Sequence, residues 1–167
     1  MRLSLLPKAI APSLTALSAD YLRQHGIQLL MLDFDNTIVP YTTSTPTPEM
    51  DKWLRQMQAS GISLCVVSNS KKGRVKVFCE PYGIPVITHA YKPFGKGVSR
   101  CLRQFQTEPK HCALVGDQIY TDTLAANLNG VMSILIPAIH NHNFWLKLRH
   151  AAELPFIFFA RKRRILL

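Results

Sequence analysis

Five short apolar runs, separated by amphipathic segments, constrain the fold of this 167-residue chain more than any other feature. Nearly every residue in these runs is apolar, which is typical of parallel strands that are covered on both faces. The runs are residues 27–33, 62–68, 84–88, 111–117 and 131–136. The segments between them have helical periodicity: Met50, Trp53, Leu54 and Met57, for example, define one apolar face. This alternation predicts an α/β fold with a central parallel sheet.

Polar side chains stand where three of the predicted strands end. They are Asp33, Ser68 and Asp117. In parallel sheets the carboxyl ends of the strands share one edge, and ligands bind beyond that edge. The sequence therefore predicts a functional site there.

Asp33 and Asp35 form the most informative pair, because side chains alternate along an extended strand and both carboxylates then point the same way. An EF-hand loop counted from Asp33 fails, since its sixth and twelfth positions hold Ile38 and Ser44. A role as a helix N-cap would account for one of the two aspartates but not for both. In the receiver domains of response regulators, the acid pair is normally adjacent in sequence. The spacing of Asp33 and Asp35 therefore makes phospho-signalling a distant alternative. The remaining interpretation is phosphoryl transfer, in which one carboxylate attacks phosphorus and the other moves the proton.

The stretch "DFDNT" resembles the first motif of the haloacid dehalogenase (HAD) superfamily, D-x-D-x-T. The resemblance implies that Asp33 is the nucleophile and that Asp35 is the general acid/base. It also implies that Thr37 supports Asp35 or the turn. The cofactor implied is Mg²⁺, with Asp33, Asp35 and Asp117 as its ligands.

The other superfamily motifs follow in order as "VVSNS", "AYKPFGKG" and "LVGDQIYTD". By resemblance, Ser68 and Asn69 hold the phosphoryl oxygens and Lys92 offsets their charge. Asp122 assists or holds Lys92. Lys96 is an alternative for the third-motif lysine. The "FGKG" stretch is not a P-loop, because Gly97 follows Lys96 and Ala90 stands where the first glycine is needed.

Most of the chain also resembles the YqeG-like phosphatases of HAD class IIIA, which are related to phosphatidylglycerophosphate phosphatases. The stretches that carry this resemblance are "GIQLLMLDFDNTIVPY", "GISLCVVSNSKKGRVKVFCEPYGIP", "AYKPFGKG" and "LVGDQIYTDTLAANLNG". The implied fold is a HAD-like Rossmannoid three-layer sandwich. Two departures stand out: Leu128 where the family often has arginine, and Ser70 where it often has asparagine. The first predicts a missing cation near the site.

The spacing of the motifs leaves no room for a large cap domain, since only "IVPYTTSTP" separates the first motif from the next helix. We therefore expect a single domain over residues 1–167, with a basic and apolar C-terminal segment at about 141–167. An open site suits a phosphate carried on something large, such as a lipid or a macromolecule.

A net charge of +10 favours polyanionic partners. Clusters of basic residues lie at 71–76 and 161–164. The leading expectation is a phosphatase acting on an anionic phospholipid, namely phosphatidylglycerophosphate. The alternative is a protein that binds RNA or a ribonucleoprotein, with weak or secondary phosphatase activity. The C-terminal segment either lies on a membrane surface or packs as a last helix with a solvated basic end.

The four cysteines form no C-x-x-C pair, and no uninterrupted apolar run reaches 18 residues. We expect reduced cysteines in a cytoplasmic protein, with peripheral contact to a membrane as the further expectation for the C-terminal segment. The histidines at 140, 142 and 150 suggest a metal site, but we expect no acid or cysteine to complete one.

Overall fold

A six-stranded sheet, in which all paired strands are parallel, forms the centre of the protein in the computed structural model, which describes residues 4–70, 73–139 and Phe158. The strands, in chain order, are β1 (Ala9–Ile10), β2 (Leu29–Leu32), β3 (Ser63–Val67), β4 (Val86–Ile87), β5 (Cys112–Gly116) and β6 (Met132–Leu135). Their order across the sheet is β1-β6-β5-β2-β3-β4. The five predicted strands are confirmed, each lying inside its apolar run and shorter at both ends.

The edge strand β1 was not predicted, because two residues cannot display a periodic pattern. It pairs with β6 in the register Ala9 to Ile134. Backbone hydrogen bonds extend the pairing on both sides, from Lys8 N–H to the Ser133 carbonyl and from Ala11 N–H to the Leu135 carbonyl, each 3.0 Å long. The pairing fixes the N-terminal segment against the sheet.

Five helices connect the strands: α1 (Ala19–Gln24), α2 (Pro48–Ala59), α3 (Arg74–Cys79), α4 (Gly97–Phe105) and α5 (Leu124–Leu128). Helix α2 begins as the sequence predicts, with Pro48 in its first turn and the Thr47 hydroxyl accepting the Met50 N–H at 3.2 Å. The segment "SKKGRVKVFCEPYG" predicts a weak helix, of which α3 is only part, and a 3₁₀ turn at Glu80–Tyr82 follows it. The shortening follows from Pro81, which has no N–H to continue the helix.

The sheet is buried on both faces, as the apolar runs predict. Leu30, Leu32 and Phe34 lie in the core cluster that contains the buried residues of α1, α2 and α3. Leu29 and Met31 lie in the second cluster, with the buried residues of α4 and α5. This strict alternation confirms the three-layer α/β sandwich.

Loops that follow the strands meet at one edge of the sheet, called here the carboxyl edge. Residues 33–47 alone connect β2 to α2, so no domain is inserted there in the described part of the chain. All four cysteines are buried and free, as predicted. Within residues 4–70 and 73–139, no helix is long and apolar enough to cross a membrane.

Candidate active site

Asp33 and Asp35 follow β2 directly at the carboxyl edge. The Asp33 N–H donates to the Val115 carbonyl at 2.9 Å, which extends the pairing with β5. The chain then turns at Asn36, whose φ of 62° lies in the left-handed region that asparagine tolerates. Phe34 is fully buried, whereas both carboxylates line one pocket. The alternation predicted from the sequence is confirmed.

The Lys92 ammonium lies at the centre of the site. Its Nζ is 2.7 Å from Asp33 Oδ1 and 2.7 Å from Asp122 Oδ1, and it donates to the Val67 carbonyl at 2.6 Å. Lys96 is instead exposed at the start of α4. The structure therefore places Lys92, rather than Lys96, in the site.

Asn69 holds the backbone of Lys92 from both sides. Its Oδ1 accepts the Lys92 N–H at 2.7 Å, and its Nδ2 donates to the Lys92 carbonyl at 3.0 Å. The Lys92–Pro93 peptide bond is cis. Asn69 thus connects the loop after β3 to the loop that carries the lysine.

Burial and charge act in opposite directions on the lysine and its partners. Burial acts to lower the pKa of Lys92, but the carboxylates of Asp122 and Asp33 raise it above its usual value. Burial raises the pKa of Asp122, while Lys92 opposes that rise. Lys92 therefore stays protonated at neutral pH and offsets negative charge beside Asp33.

A second contact to Asp33 comes from Thr37, which is buried. Its Oγ1 lies 3.5 Å from Asp33 Oδ2, so it contacts the nucleophile candidate itself. Ser68, also buried, accepts the Ser70 N–H on its Oγ at 3.0 Å. That bond fixes the hydroxyl at the end of β3.

Three carboxylates form a cluster that could hold a divalent metal ion. Oxygens of Asp33, Asp117 and Asp122 all lie within 4.8 Å of one another, and the three residues are buried. Carboxylate oxygens are suitable ligands for Mg²⁺. The cluster contains two of the three predicted ligands. The carboxylate of the third, Asp35, is not in the cluster and forms an ion pair with Arg74.

The pocket at this site has a volume of about 190 Å³. Five predicted site residues line it: Asp33, Asp35, Ser68, Asn69 and Lys92. Four others, Tyr41, Ser70, Gln118 and Thr121, were not predicted as site residues. Ser70, Gln118 and Thr121 lie inside the quoted motifs. Their position in those motifs was the signal that could have identified them as site residues.

Arg74 is the functional residue that sequence reasoning missed, since it was grouped with the basic cluster at 71–76. Its guanidinium forms an ion pair with Asp35 and donates to the Tyr41 carbonyl at 2.7 Å. The same group lies 5.0 Å from the Phe34 ring centroid and 5.7 Å from that of Tyr41. Arg74 therefore ties the loop of Asp35 to the first turn of α3.

Replacing Arg74 with methionine should lower kcat about 10- to 100-fold and change KM little, because Asp35 loses the group that orients it. Arg55→Met is the matched control. Arg55 also pairs with a carboxylate, that of Asp51, and lies 5.2 Å from the Tyr82 ring, but it is exposed on α2. Steady-state kinetics of both variants check this, and equal kcat values would contradict it.

Gly116, the glycine of "VGDQ", lies against Asp122. A Cβ built at position 116 would lie 2.3 Å from Asp122 Cγ and Oδ2. Gly116→Ala should therefore displace Asp122 and lower the free energy of unfolding by about 1–3 kcal/mol, with loss of activity. Gly73→Ala is the control, since nothing lies within 4 Å of its Cβ. Urea unfolding and phosphatase assays check both variants, and a stable, active Gly116→Ala protein would contradict the prediction.

The expectation of a missing cation near the site is wrong. Leu128 ends α5, and the chain enters β6 at Met132, four residues later. The chain leaves the carboxyl edge through a π-helical turn, Ile119–Thr123, and continues through α5 back to the start of β6. Position 128 therefore lies toward the opposite edge. The substitution leaves the catalytic cluster intact.

Comparison with known proteins agrees with this geometry. A profile of the family described as "Mitochondrial PGP phosphatase" matches residues 2–138. A probable phosphatase, YqeG, from Bacillus subtilis is 33% identical over 149 residues, which cover 89% of this chain and 87% of that protein. The mitochondrial phosphatidylglycerophosphatase GEP4 of Saccharomyces cerevisiae is 30% identical over 125 residues, covering 66% of this chain and 67% of that protein.

The fold is also similar to solved structures. One, named as a HAD family hydrolase from Streptomyces avermitilis MA-4680, superposes with a TM-score of 0.56 at 16% identity. The superposition covers 77% of this chain and 75% of that one. At this identity the similarity concerns the fold, and it agrees with the sandwich expected from the motifs.

Proposed function

Because this chain belongs to the PGP phosphatase family and is a HAD-type phosphatase, we propose that it hydrolyses phosphomonoesters through an aspartyl phosphate on Asp33. The observation that carries this proposal is the placement of Asp33. Its carboxylate lies in an open pocket, 2.7 Å from the buried Lys92 ammonium and close to two further carboxylates.

The reaction has two displacements at phosphorus. In the first, an Asp33 oxygen bonds to phosphorus while the bond to the leaving oxygen breaks, and Asp35 protonates that oxygen. In the second, water attacks the same phosphorus as Asp35 accepts its proton, and the Asp33–phosphorus bond breaks. Lys92 offsets the charge on the phosphoryl oxygens throughout. Ser68 and Asn69, at the end of β3, hold that group.

Mg²⁺ is the proposed cofactor, and the buried carboxylate cluster supports it. Asp33 and Asp117 would hold the ion. Asp122, which contacts the Lys92 ammonium and accepts the Gln118 N–H at 3.2 Å, would hold Lys92 in place. The ligand role expected for Asp35 stays a prediction. A bound Mg²⁺ would offset the negative charge of the phosphoryl group.

The proposed substrate is the terminal phosphomonoester of phosphatidylglycerophosphate. A pocket of about 190 Å³ is smaller than typical ligand sites of roughly 300–1,000 Å³. It suits the phosphoryl group alone, and the rest of the substrate would lie outside it. The family profile and the yeast relative's name support the lipid.

The predicted peripheral contact through the C-terminal segment concerns residues outside those that the structure describes, apart from Phe158. It stays a prediction, as does the single-domain boundary at 167.

Release of inorganic phosphate from phosphatidylglycerophosphate in mixed micelles, with Mg²⁺ or with EDTA, tests the proposal. We expect Mg²⁺-dependent release by the wild type. Hydrolysis of an aryl phosphate but not of the lipid would support the phosphatase reaction and reject phosphatidylglycerophosphate as the substrate. Release from neither substrate, together with salt-sensitive RNA binding, would favour the binding protein instead.

A further inference from the structure

Large apolar side chains are exposed mainly at the carboxyl edge of the described protein. Four of them lie in loops that follow the carboxyl ends of strands: Tyr41, Tyr91, Phe94 and Ile139, with exposures of 56%, 59%, 79% and 39%. Val77, on α3, and Phe158 are the remaining exposed large hydrophobic residues among those described. The pocket opens at this edge, and Tyr41 lines it. We call these four exposed loop residues the apolar rim.

Residues 88–97, called here the rim loop, hold two of these aromatics beside the site. Tyr91 and Phe94 flank Lys92 in sequence, and Phe94 is the most exposed of the set. Tyr91 has a φ of 50°, a left-handed conformation that is unusual for an aromatic residue. Such a conformation persists only where the surrounding contacts impose it.

Those contacts are visible within the loop. The Gly95 N–H donates to the Tyr91 carbonyl at 2.7 Å, and a Cβ at position 95 would lie 2.2 Å from the Ala90 carbonyl oxygen. Arg100 Nη2 donates to the carbonyls of Thr88 and His89 at 2.8 and 2.9 Å. These contacts fix the backbone of the rim loop, in which the side chains of Tyr91 and Phe94 are both exposed.

Basic residues are frequent in the segments that carry and precede the rim loop. Residues 68–79 and 86–106 contain eight lysines and arginines and no acid. Four of these cations lie exposed on the described surface: Lys76, Lys96, Arg100 and Arg103. Aromatic residues combined with cations suit the interface of a bilayer that contains anionic lipids. Ile139 has no ring to stack on a base, which favours hydrocarbon over nucleic acid.

We propose that the carboxyl edge is a membrane-docking face, with Phe94 and Tyr91 entering the headgroup region of an anionic bilayer. The docked protein would present its pocket to the bilayer surface, so a lipid phosphomonoester reaches Asp33 without leaving the membrane. The substrate part of this inference rests on the proposed function, whereas the binding part does not.

Co-sedimentation of the full chain with phosphatidylcholine vesicles, with and without phosphatidylglycerol, tests the docking face. Phe94→Ser should weaken binding to the anionic vesicles about tenfold, because a largely exposed phenyl ring loses its burial in lipid. Phe94→Trp should bind as the wild type does.

Two assays separate this inference from the proposed function. Phe94→Ser should hydrolyse a soluble aryl phosphate at the wild-type rate but turn over vesicle-borne phosphatidylglycerophosphate about tenfold more slowly. If vesicle binding depends on Phe94 but neither substrate is hydrolysed, the proposed phosphatase function would be rejected and the membrane-docking face would be supported. Unchanged binding of Phe94→Ser, or a preference for single-stranded RNA over vesicles, would overturn the docking face.

Discussion

Asp33→Asn should abolish turnover, with phosphate release reduced about 10⁴-fold or more. A carboxamide has nearly the shape of a carboxylate, but it is a far weaker nucleophile. The fold should survive, because the β2 backbone pairing does not depend on the side chain. Phosphate release at saturating substrate, with circular dichroism as the fold check, measures the effect.

Asp20→Asn is the control for this substitution. Asp20 also pairs with a cation, Arg23, at 2.6 Å, but its side chain is 79% exposed on α1. We expect wild-type turnover from it. Turnover by Asp33→Asn within tenfold of the wild type would contradict the role of Asp33.

Lys92→Met should have the second large effect, on both stability and activity. Lys92 is almost fully buried between Asp33 and Asp122, and its removal leaves two buried carboxylates without their cation. Removing one partner of a buried ion pair typically costs about 3–5 kcal/mol in the free energy of unfolding. Urea unfolding should show that loss, and phosphate release should be lost with it.

A double variant separates the two effects. Adding Asp122→Asn to Lys92→Met removes one uncompensated charge and should restore part of the stability without restoring activity. Lys96→Met, at an exposed lysine at the start of α4, should leave the stability and the hydrolysis of a soluble aryl phosphate unchanged. If Lys96→Met lost activity and Lys92→Met kept it, the third-motif role would belong to Lys96.

The strands and the carboxyl edge were predictable because burial on both faces demands continuous apolar runs. Asp33, Ser68 and Asp117 come directly after β2, β3 and β5, so their meeting follows from parallel pairing alone. The preference for Lys92 over Lys96 was only partly predictable, because it depends on how Asn69 holds the Lys92 backbone.

Arg74 and the rim loop were not predictable from pattern. Arg74 looks like one cation among several at 71–76, and only its three-dimensional contacts with Asp35 and Tyr41 distinguish it. Phe94 looks like an ordinary core aromatic, since hydropathy does not report which way a loop faces. Leu128 shows the opposite kind of error. It follows the motif "LVGDQIYTD" closely in sequence, which suggested that it lies near the site, but α5 carries the chain away from the site.

The covalent step at Asp33 is the central claim, and trapping it is the most direct measurement. The enzyme would be quenched with acid during turnover, reduced with borohydride and digested, and the peptide containing residues 31–40 analysed by mass spectrometry. Borohydride converts an aspartyl phosphate to homoserine, so we expect homoserine at position 33 only in samples given substrate. Homoserine at position 35, or unmodified Asp33 and Asp35 during active turnover, would contradict the account.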